Sequence, residues 1–536
     1  MRPAWSRPAN RLIGALGAMA ALFVSGFACA APPPGFEHRV ATLRAQAGIP
    51  GMAVTIVEND AVTFAKGFGI RALGKPETVD ADTLFQTGST GKAFTVAALG
   101  ILVDAGKLSW DDKVTDRLPG FQMYDPWVTR EMTLRDLLVH RSGLGLGEGD
   151  LLFVPRTNLS RAESVRRLRY LKPATSFRSG FAYDNVLYMV AGQLIEAVTG
   201  ETWEKFTAEH VLQPAGMLHS TTSEEARLAT PNRAQPHARM NGGLRGAGDQ
   251  ELLDERDGLG RNGAPAGGMA VSANDMARWL LIQLHDGELP EHSGRLFSEA
   301  AHREMWTPVV PQPISPSSGV LKPTEPKFSE YALGWDIQEY RGAKLVWHGG
   351  AVFGFLTAVV LIPDKHVGFA IEINSEDREV VLGLMYELLD HYLGLPNADW
   401  PAIYRAETQR KVAEALAELA KQTAQPAAVG PSLPLERYAG TYTDAWYGNI
   451  EIKVVNGKLT IDFKSTPRMT GTLEHWQYDS FITRFTDKSI EPAHVTFNLD
   501  AEGKVERISL KAVSLLADFS YDYQDLTFTP AKAGPR

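Results

Sequence analysis

The chain has 536 residues, 44% hydrophobic and 22% charged, the proportions of a soluble globular protein of two or three domains that core burial alone can stabilise. Its formal charge of −9 comes without a basic run, which argues against a nucleic-acid partner. The single cysteine, Cys29, lies near the start, so the rest of the chain has no disulfide, thiol nucleophile or thiolate metal site.

Residues 1–30 read as an export signal rather than as fold. Arg2, Arg7 and Arg11 make a basic start, Leu12 to Val24 an apolar run, and Ala28-Cys29-Ala30 a small-residue cleavage site. The context of Cys29 is poor for lipidation. The apolar run is too short to span a bilayer, and no later stretch is long enough. The expectation is a periplasmic or secreted protein without a transmembrane segment, cleaved after Ala30.

Met52 to Val57 and Ala61 to Lys66 are β-rich runs around Glu58-Asn59-Asp60 and predict a hairpin. Next comes Leu84-Phe85-Gln86-Thr87-Gly88-Ser89-Thr90-Gly91-Lys92, followed by small and apolar residues through Val103 and a stop at Asp104-Ala105-Gly106. A helix apolar all round is a buried one. Ser89 then sits at its first turn, with Lys92 three residues on and on the same face. A buried hydroxyl and amine are costly unless each serves the other. The chemical reading is a serine nucleophile whose proton the lysine takes or relays. The tetrapeptide alone also fits a serine cap beside a snorkelling lysine. A lysine base needs its pKa brought from about 10.4 to about 7, which takes roughly 4.6 kcal/mol at ~1.36 kcal/mol per unit. A helix dipole supplies only ~0.3–1 kcal/mol at an exposed end, so burial must do most of this, with Tyr183 as neighbour.

From about Thr133 to His285 the pattern is helical and loop-rich. Thr133-Leu134-Arg135-Asp136 reads as a capping box, and Tyr188 to Val198 and Asn274 to Leu284 have helical spacing. Strand character returns at Tyr331 to Gln338, Lys344 to Trp347, Phe355 to Ile362 and Val367 to Ile373. The expected architecture is α/β (α+β): one antiparallel sheet of the early hairpin and the late strands, flanked by helices, plus a helical lobe and a cleft between.

A helix is expected from Ile403 to Gln422, then a Pro/Ala-rich linker from Gln425 to Pro434. Beyond it the period is two. Ile450 to Val454 and Leu459 to Phe463 flank Asn456-Gly457, and Val495 to Leu499 and Val505 to Leu510 repeat the pattern, predicting a small all-β barrel. The expected division is a signal at 1–30, a catalytic domain at 31–395, a helix and linker at 396–431 and a barrel at 432–536. Residues 31–424 should fold alone. Trp446, Tyr447, Trp476, Tyr478 and Phe481 either fill the barrel or close over the cleft.

Gly258-Leu259-Gly260-Arg261-Asn262-Gly263 matches a nucleotide-loop pattern, but no strand is expected before it and no helix after it. No H-E-x-x-H occurs and the histidines are scattered, so neither metal nor cofactor is expected.

Three further segments join the first. Phe181-Ala182-Tyr183-Asp184-Asn185 precedes a helix, Ala266-Gly267-Gly268-Met269 opens another, and Trp347-His348-Gly349-Gly350-Ala351 lies among the late strands. S-x-x-K, then Y-x-N, then H-x-G in this order resembles the serine β-lactamase-related family, which includes class C β-lactamases, D-Ala-D-Ala carboxypeptidases, D-aminopeptidases and β-lactamase-like esterases. The likeness runs over about residues 36–395, including the stretches Leu134 to Leu144 and Gln213 to Met217. The barrel similarly looks like the lipocalin-like C-terminal domain of some members. The resemblance implies an acylated Ser89, Lys92 as its partner, Tyr183 as general base or proton shuttle, and Asn185 as a substrate hydrogen-bond donor. It also implies that His348 and Gly350 stand in the K-T-G strand, and that the N–H groups of Ser89 and Ala351 form an oxyanion hole. Three positions depart from the pattern: His348 replaces the strand lysine, Asp184 sits inside Y-x-N, and Arg141 replaces a usual Thr.

The reading is an exported serine hydrolase acting on a small-molecule or peptide ester or amide. Esterase or peptidase chemistry is preferred to β-lactamase or carboxypeptidase chemistry, because a neutral His348 offers no fixed charge for a β-lactam carboxylate. A silent peptide- or lipid-binding protein is the rival of another class, and the intact Ser89, Lys92 and Tyr183 argue against it.

Overall fold

The computed structural model of the protein describes residues 32–256, 258–424 and 429–531. The expected signal with Cys29, and the linker positions 425–428, lie outside them.

The early hairpin forms as β1 (Gly51–Glu58) and β2 (Ala61–Gly69), with Asn59 at φ 44 and Asp60 at φ 70 supplying the two left-handed residues of a tight turn. The late strands are β3 (Val310–Pro311), β4 (Ser329–Tyr331), β5 (Asp336–Tyr340), β6 (Ala343–Val352), β7 (Phe355–Ile362) and β8 (Val367–Ile373). They join the hairpin in one eight-stranded sheet of order β2-β1-β8-β7-β6-β5-β4-β3, in which every pair is antiparallel. Tyr331 to Gln338 is two strands rather than the expected one, because Gly334 at φ 75 turns the chain between Tyr331 and Asp336.

All eight residues of β1 are buried, since helices cover the sheet. Among them are α1 (Phe36–Ala47), α5 (Ala273–Leu284) and α6 (Arg378–Leu393). The helical lobe holds α2 (Lys92–Asp104), α3 (Val186–Thr199) and α4 (Gly260–Gly267), and α7 (Trp400–Ala424) packs on α6. The capping box forms as expected: Asp136 Oδ2 accepts from the Thr133 N–H at 3.0 Å, and Thr133 Oγ1 from the Asp136 N–H at 3.3 Å.

Helix α4 corrects the sequence expectation, because it begins inside the Gly258–Gly263 stretch. Tertiary packing overrides weak local propensity here. A Cβ on Gly192 of α3 would lie 2.3 Å from Pro265 Cγ, so the two helices touch backbone to ring.

The barrel is closed, with eight strands in sequence order: β9 (Gly440–Asp444), β10 (Gly448–Val455), β11 (Lys458–Phe463), β12 (Thr470–Gln477), β13 (Ser480–Phe485), β14 (Ala493–Leu499), β15 (Val505–Ala512) and β16 (Thr527–Pro530). Trp446, Tyr447 and Phe481 are buried, Tyr447 edge-on to Phe463 and Phe528, so these rings fill the domain and form no lid. Trp476 lies against His494, and Tyr478 is exposed.

One apolar core runs without a break through the catalytic lobes and the barrel. Polar contacts cross the same boundary. Arg167 Nη1 donates to the Tyr447 carbonyl at 2.5 Å, Arg245 Nη1 to the Ser489 carbonyl at 2.6 Å, and the Asn158 N–H to the Ser465 carbonyl at 2.8 Å. No helix among the described residues is long and apolar enough to cross a membrane.

Candidate active site

Ser89 lies in a single 3₁₀ turn, Gly88–Gly91, that runs directly into α2. The turn is clamped from below: the Thr87 N–H donates to the Met269 carbonyl at 3.0 Å, and Thr357 Oγ1 of β7 donates to the Thr87 carbonyl at 2.7 Å. Gly88 has φ 51, and a Cβ there would lie 2.5 Å from the Ala351 nitrogen. A side chain at Gly350 would lie 3.2 Å from the Ser89 nitrogen. The absence of both side chains lets β6 come against the Ser89 turn, backbone to backbone.

Lys92 is fully buried, and its ammonium makes three hydrogen bonds. Nζ donates to Ser89 Oγ at 3.0 Å, to Asn185 Oδ1 at 2.7 Å and to the Ala266 carbonyl at 3.0 Å. The last acceptor is an orphan carbonyl at the C-terminal end of α4, and its neighbour, the Pro265 carbonyl, takes the Thr95 hydroxyl at 2.7 Å. The glycine-rich stretch that looked like a nucleotide loop thus opens a helix whose far end holds the lysine. Burial pushes Lys92 down to about 7, and it prevails over Asp150, Asp184 and Asp336, whose charges pull upward. That is the value a lysine base needs near neutral pH.

Tyr183 leans over the same point, its ring 4.8 Å from Lys92 Nζ. Burial drives its hydroxyl well above 10, opposed by the Ser89 hydroxyl, so it is a phenol and not a phenolate. The ring lies tilted against His140 with centroids 4.1 Å apart, and His140 Nδ1 accepts from the Asp184 N–H at 3.2 Å. Two departures from the family pattern knit these loops together. Asp184 accepts from Ser142 Oγ at 2.8 Å, and Arg141 Nε donates to Asp136 Oδ1 at 2.7 Å.

His348 is buried on β6. Its Nε2 accepts from the Tyr331 hydroxyl at 2.8 Å, and its Nδ1–H donates to the Gly349 carbonyl at 2.6 Å. Burial, then the charge of Lys92, lowers it to about 3, so the imidazole is neutral. Ser89, Tyr183, Asn185, His348, Gly350 and Ala351 line one cavity of about 270 Å³, and Lys92 lies just behind its wall.

Sequence reasoning missed two groups at this site. Asp150 is fully buried behind Asn185, whose Nδ2 donates to Asp150 Oδ2 at 2.8 Å. A lone acid in the run Gly149-Asp150-Leu151-Leu152-Phe153 was its signal. The second group comes from the barrel. The β15–β16 connection brings Asp518, Phe519 and Ser520 into the cavity wall, with Phe519 edge-on to Tyr183 at 5.9 Å. No local pattern marks that loop.

The sequence profile of the family described as Beta-lactamase matches residues 36–392. The chain belongs to the beta-lactamase family. A second profile, described as Domain of unknown function (DUF3471), matches residues 424–530 and so takes in the barrel. The chain is similar to the unguisins hydrolase ungD' of Aspergillus campestris, 32% identical over 429 residues that cover 75% of this chain and 74% of that one. It is also similar to penicillin-binding protein 4 of Amycolatopsis lactamdurans, 28% identical over 63% of this chain and 84% of that protein. In fold it matches the octameric penicillin-binding protein homologue from Pyrococcus abyssi, with a TM-score of 0.56 and 21% identity, over 92% of this chain and 99% of that one. Serine hydrolases of the β-lactamase fold are therefore its kin.

Proposed function

We propose that the protein is an exported serine hydrolase that forms an acyl-enzyme at Ser89 on an ester or amide and releases it to water. The observation that carries this reading is the 3.0 Å hydrogen bond between Ser89 Oγ and a fully buried Lys92. The basic, apolar and small-residue start of the chain supports export.

Neutral Lys92 takes the Ser89 proton as Oγ attacks the carbonyl carbon. The oxyanion meets the backbone N–H groups of Ser89 and Ala351, a role supported by the close approach of β6 to the Ser89 turn at Gly88 and Gly350. Tyr183, as a phenol, hands a proton to the leaving alcohol or amine and is refilled from Lys92. Water then attacks the ester at Ser89, its proton returns through the same groups, and Ser89 is restored. Lys92 is the base in this scheme because Tyr183 keeps its proton. Asn185 holds Lys92 through its carbonyl oxygen and gives one N–H to Asp150, and its second N–H is the donor left for a substrate in the cavity that it lines. The neutral His348 leaves β6 without the fixed charge of a K-T-G lysine, which favours esterase or peptidase chemistry over β-lactamase chemistry.

Intact-mass spectrometry after treatment with a fluorophosphonate tests the assignment. One adduct is expected on the wild type and none on Ser89→Ala. An adduct persisting in that variant would overturn it.

A further inference from the structure

Lys92 is the near end of a hydrogen-bonded chain that leaves the catalytic domain. Lys92 Nζ donates to Asn185 Oδ1 at 2.7 Å, Asn185 Nδ2 donates to Asp150 Oδ2 at 2.8 Å, and Ser520 Oγ donates to the same oxygen at 2.8 Å. Ser520 belongs to the β15–β16 connection of the barrel, 370 residues from Asp150 in sequence. Two positions on, the Asp522 carboxylate accepts from the Gly149 N–H at 2.6 Å and the Leu151 N–H at 3.2 Å, gripping the backbone on either side of Asp150.

We propose that Asp150, held from the barrel by Ser520, is a positioning residue that acts on Lys92 through Asn185, making the barrel a working part of the catalytic centre. This rests on the reading of Lys92 as the base. The geometry is directional. Asp150 as a carboxylate only accepts, so it fixes the amide of Asn185 with NH₂ inward and leaves the carbonyl oxygen facing Lys92. The opposite amide orientation would set two donors against each other. Asp150 Oδ1 has no hydrogen-bond partner among the described residues and the side chain is fully buried, so its charge is screened little and is felt at Lys92. Burial raises Asp150 to about 7, while the bonds from Asn185 and Ser520 pull it back down. Removing the Ser520 donor therefore favours neutral Asp150, which in turn withdraws support from the Lys92 ammonium. The other groups facing Lys92 are Asp184, Asp336, Tyr183, Tyr188, His140 and His348, whereas the Ser520 hydroxyl is hydrogen-bonded to Asp150.

The rate of fluorophosphonate labelling of Ser89 against pH reads this directly and needs no physiological substrate. In the wild type the rate falls on the acid side as Lys92 is protonated. Asp150→Asn keeps an acceptor for Asn185 but loses the charge, and should move that acid limb to lower pH by ~1 unit. Ser520→Ala should move it the same way by less, Ser520→Thr should restore it, and the double variant should match Asp150→Asn alone. An acid limb that stays put in Ser520→Ala and Asp150→Asn while only the melting temperature falls would reduce these contacts to scaffolding and overturn the proposal. Should Asp150→Asn fail to fold, Ser520→Ala and Ser520→Thr decide it by the same limb. Wild-type protein that is not labelled at all would instead refute the underlying hydrolase reading.

Discussion

The Tyr331 hydroxyl donates to His348 Nε2 at 2.8 Å, and with Nδ1 bound to the Gly349 carbonyl the imidazole has no free nitrogen for a substrate. His348 thus occupies the expected strand position with both ring nitrogens held by the protein.

Its burial makes it an acid-sensitive point. The folded value is about 3 against 6.5 for an ordinary histidine, so its contribution to stability is whole above pH 6.5 and is lost as pH falls toward 3. Below pH 3 this amounts to about 5 kcal/mol. His348→Gln, which cannot charge, should therefore lose less melting temperature between pH 6.5 and pH 4 than the wild type. His348→Lys should bury an ammonium without a partner and cost about 3–5 kcal/mol, rather than create a carboxylate anchor. A His348→Lys protein with unchanged melting temperature and faster turnover of a chromogenic cephalosporin would contradict this.

Gly350 and Gly349 make a paired test of the close approach at Ser89. A Cβ at Gly350 would lie 2.1 Å from the Thr87 carbonyl oxygen and 2.3 Å from Thr357 Oγ1, whereas at Gly349 the nearest atom is Trp347 Cζ3 at 3.7 Å. Gly350→Ala should lose at least about 1–3 kcal/mol of stability and slow Ser89 labelling tenfold or more. Gly349→Ala should label within about twofold of the wild type, since it meets only an ordinary contact. Equal labelling of the two variants would show that backbone proximity of β6 does not govern the site.

The catalytic lobes should not survive without the barrel. Cutting the chain after residue 424 opens the shared core and strips the Gly149 and Leu151 N–H groups of their acceptor, Asp522. Such a fragment should be insoluble or lack a cooperative thermal transition. A soluble fragment that unfolds cooperatively and labels at Ser89 would restore the independence that the linker composition suggests.

Substrate length offers a fourth test. A second cavity of about 430 Å³ adjoins the first and shares Leu259, Ala351, Leu356, Arg378, Asp518 and Ser520 with it. Phe353 and Tyr521 stack in its wall with centroids 5.9 Å apart. Each methylene buried there contributes ~0.8 kcal/mol, so kcat/KM on p-nitrophenyl esters should rise about threefold to fourfold per carbon until the space fills. Leu516→Trp, which narrows this cavity, should depress long esters and spare the acetate. A flat profile across chain lengths would exclude the second cavity as an acyl subsite.

Period and turn chemistry were enough to read the β1–β2 and β10–β11 hairpins and the buried helix that carries Lys92, because each rests on contacts between near neighbours, whereas closing the small all-β barrel pairs Tyr442 with Pro530. The order of S-x-x-K, Y-x-N and H-x-G likewise marked the residues that line the cavity. Three things were decided only by tertiary structure. Helix α4 forms through packing on α3 despite its glycines and Pro265, Trp446, Tyr447 and Phe481 of the barrel turn inward while Tyr478 stays exposed, and Asp150 meets Ser520 across 370 residues. A buried carboxylate looks in sequence like any other acid, and a loop between barrel strands like any other loop. What gives Asp150 and Ser520 their place beside Lys92 is the closing of one core over both domains, which no local pattern encodes.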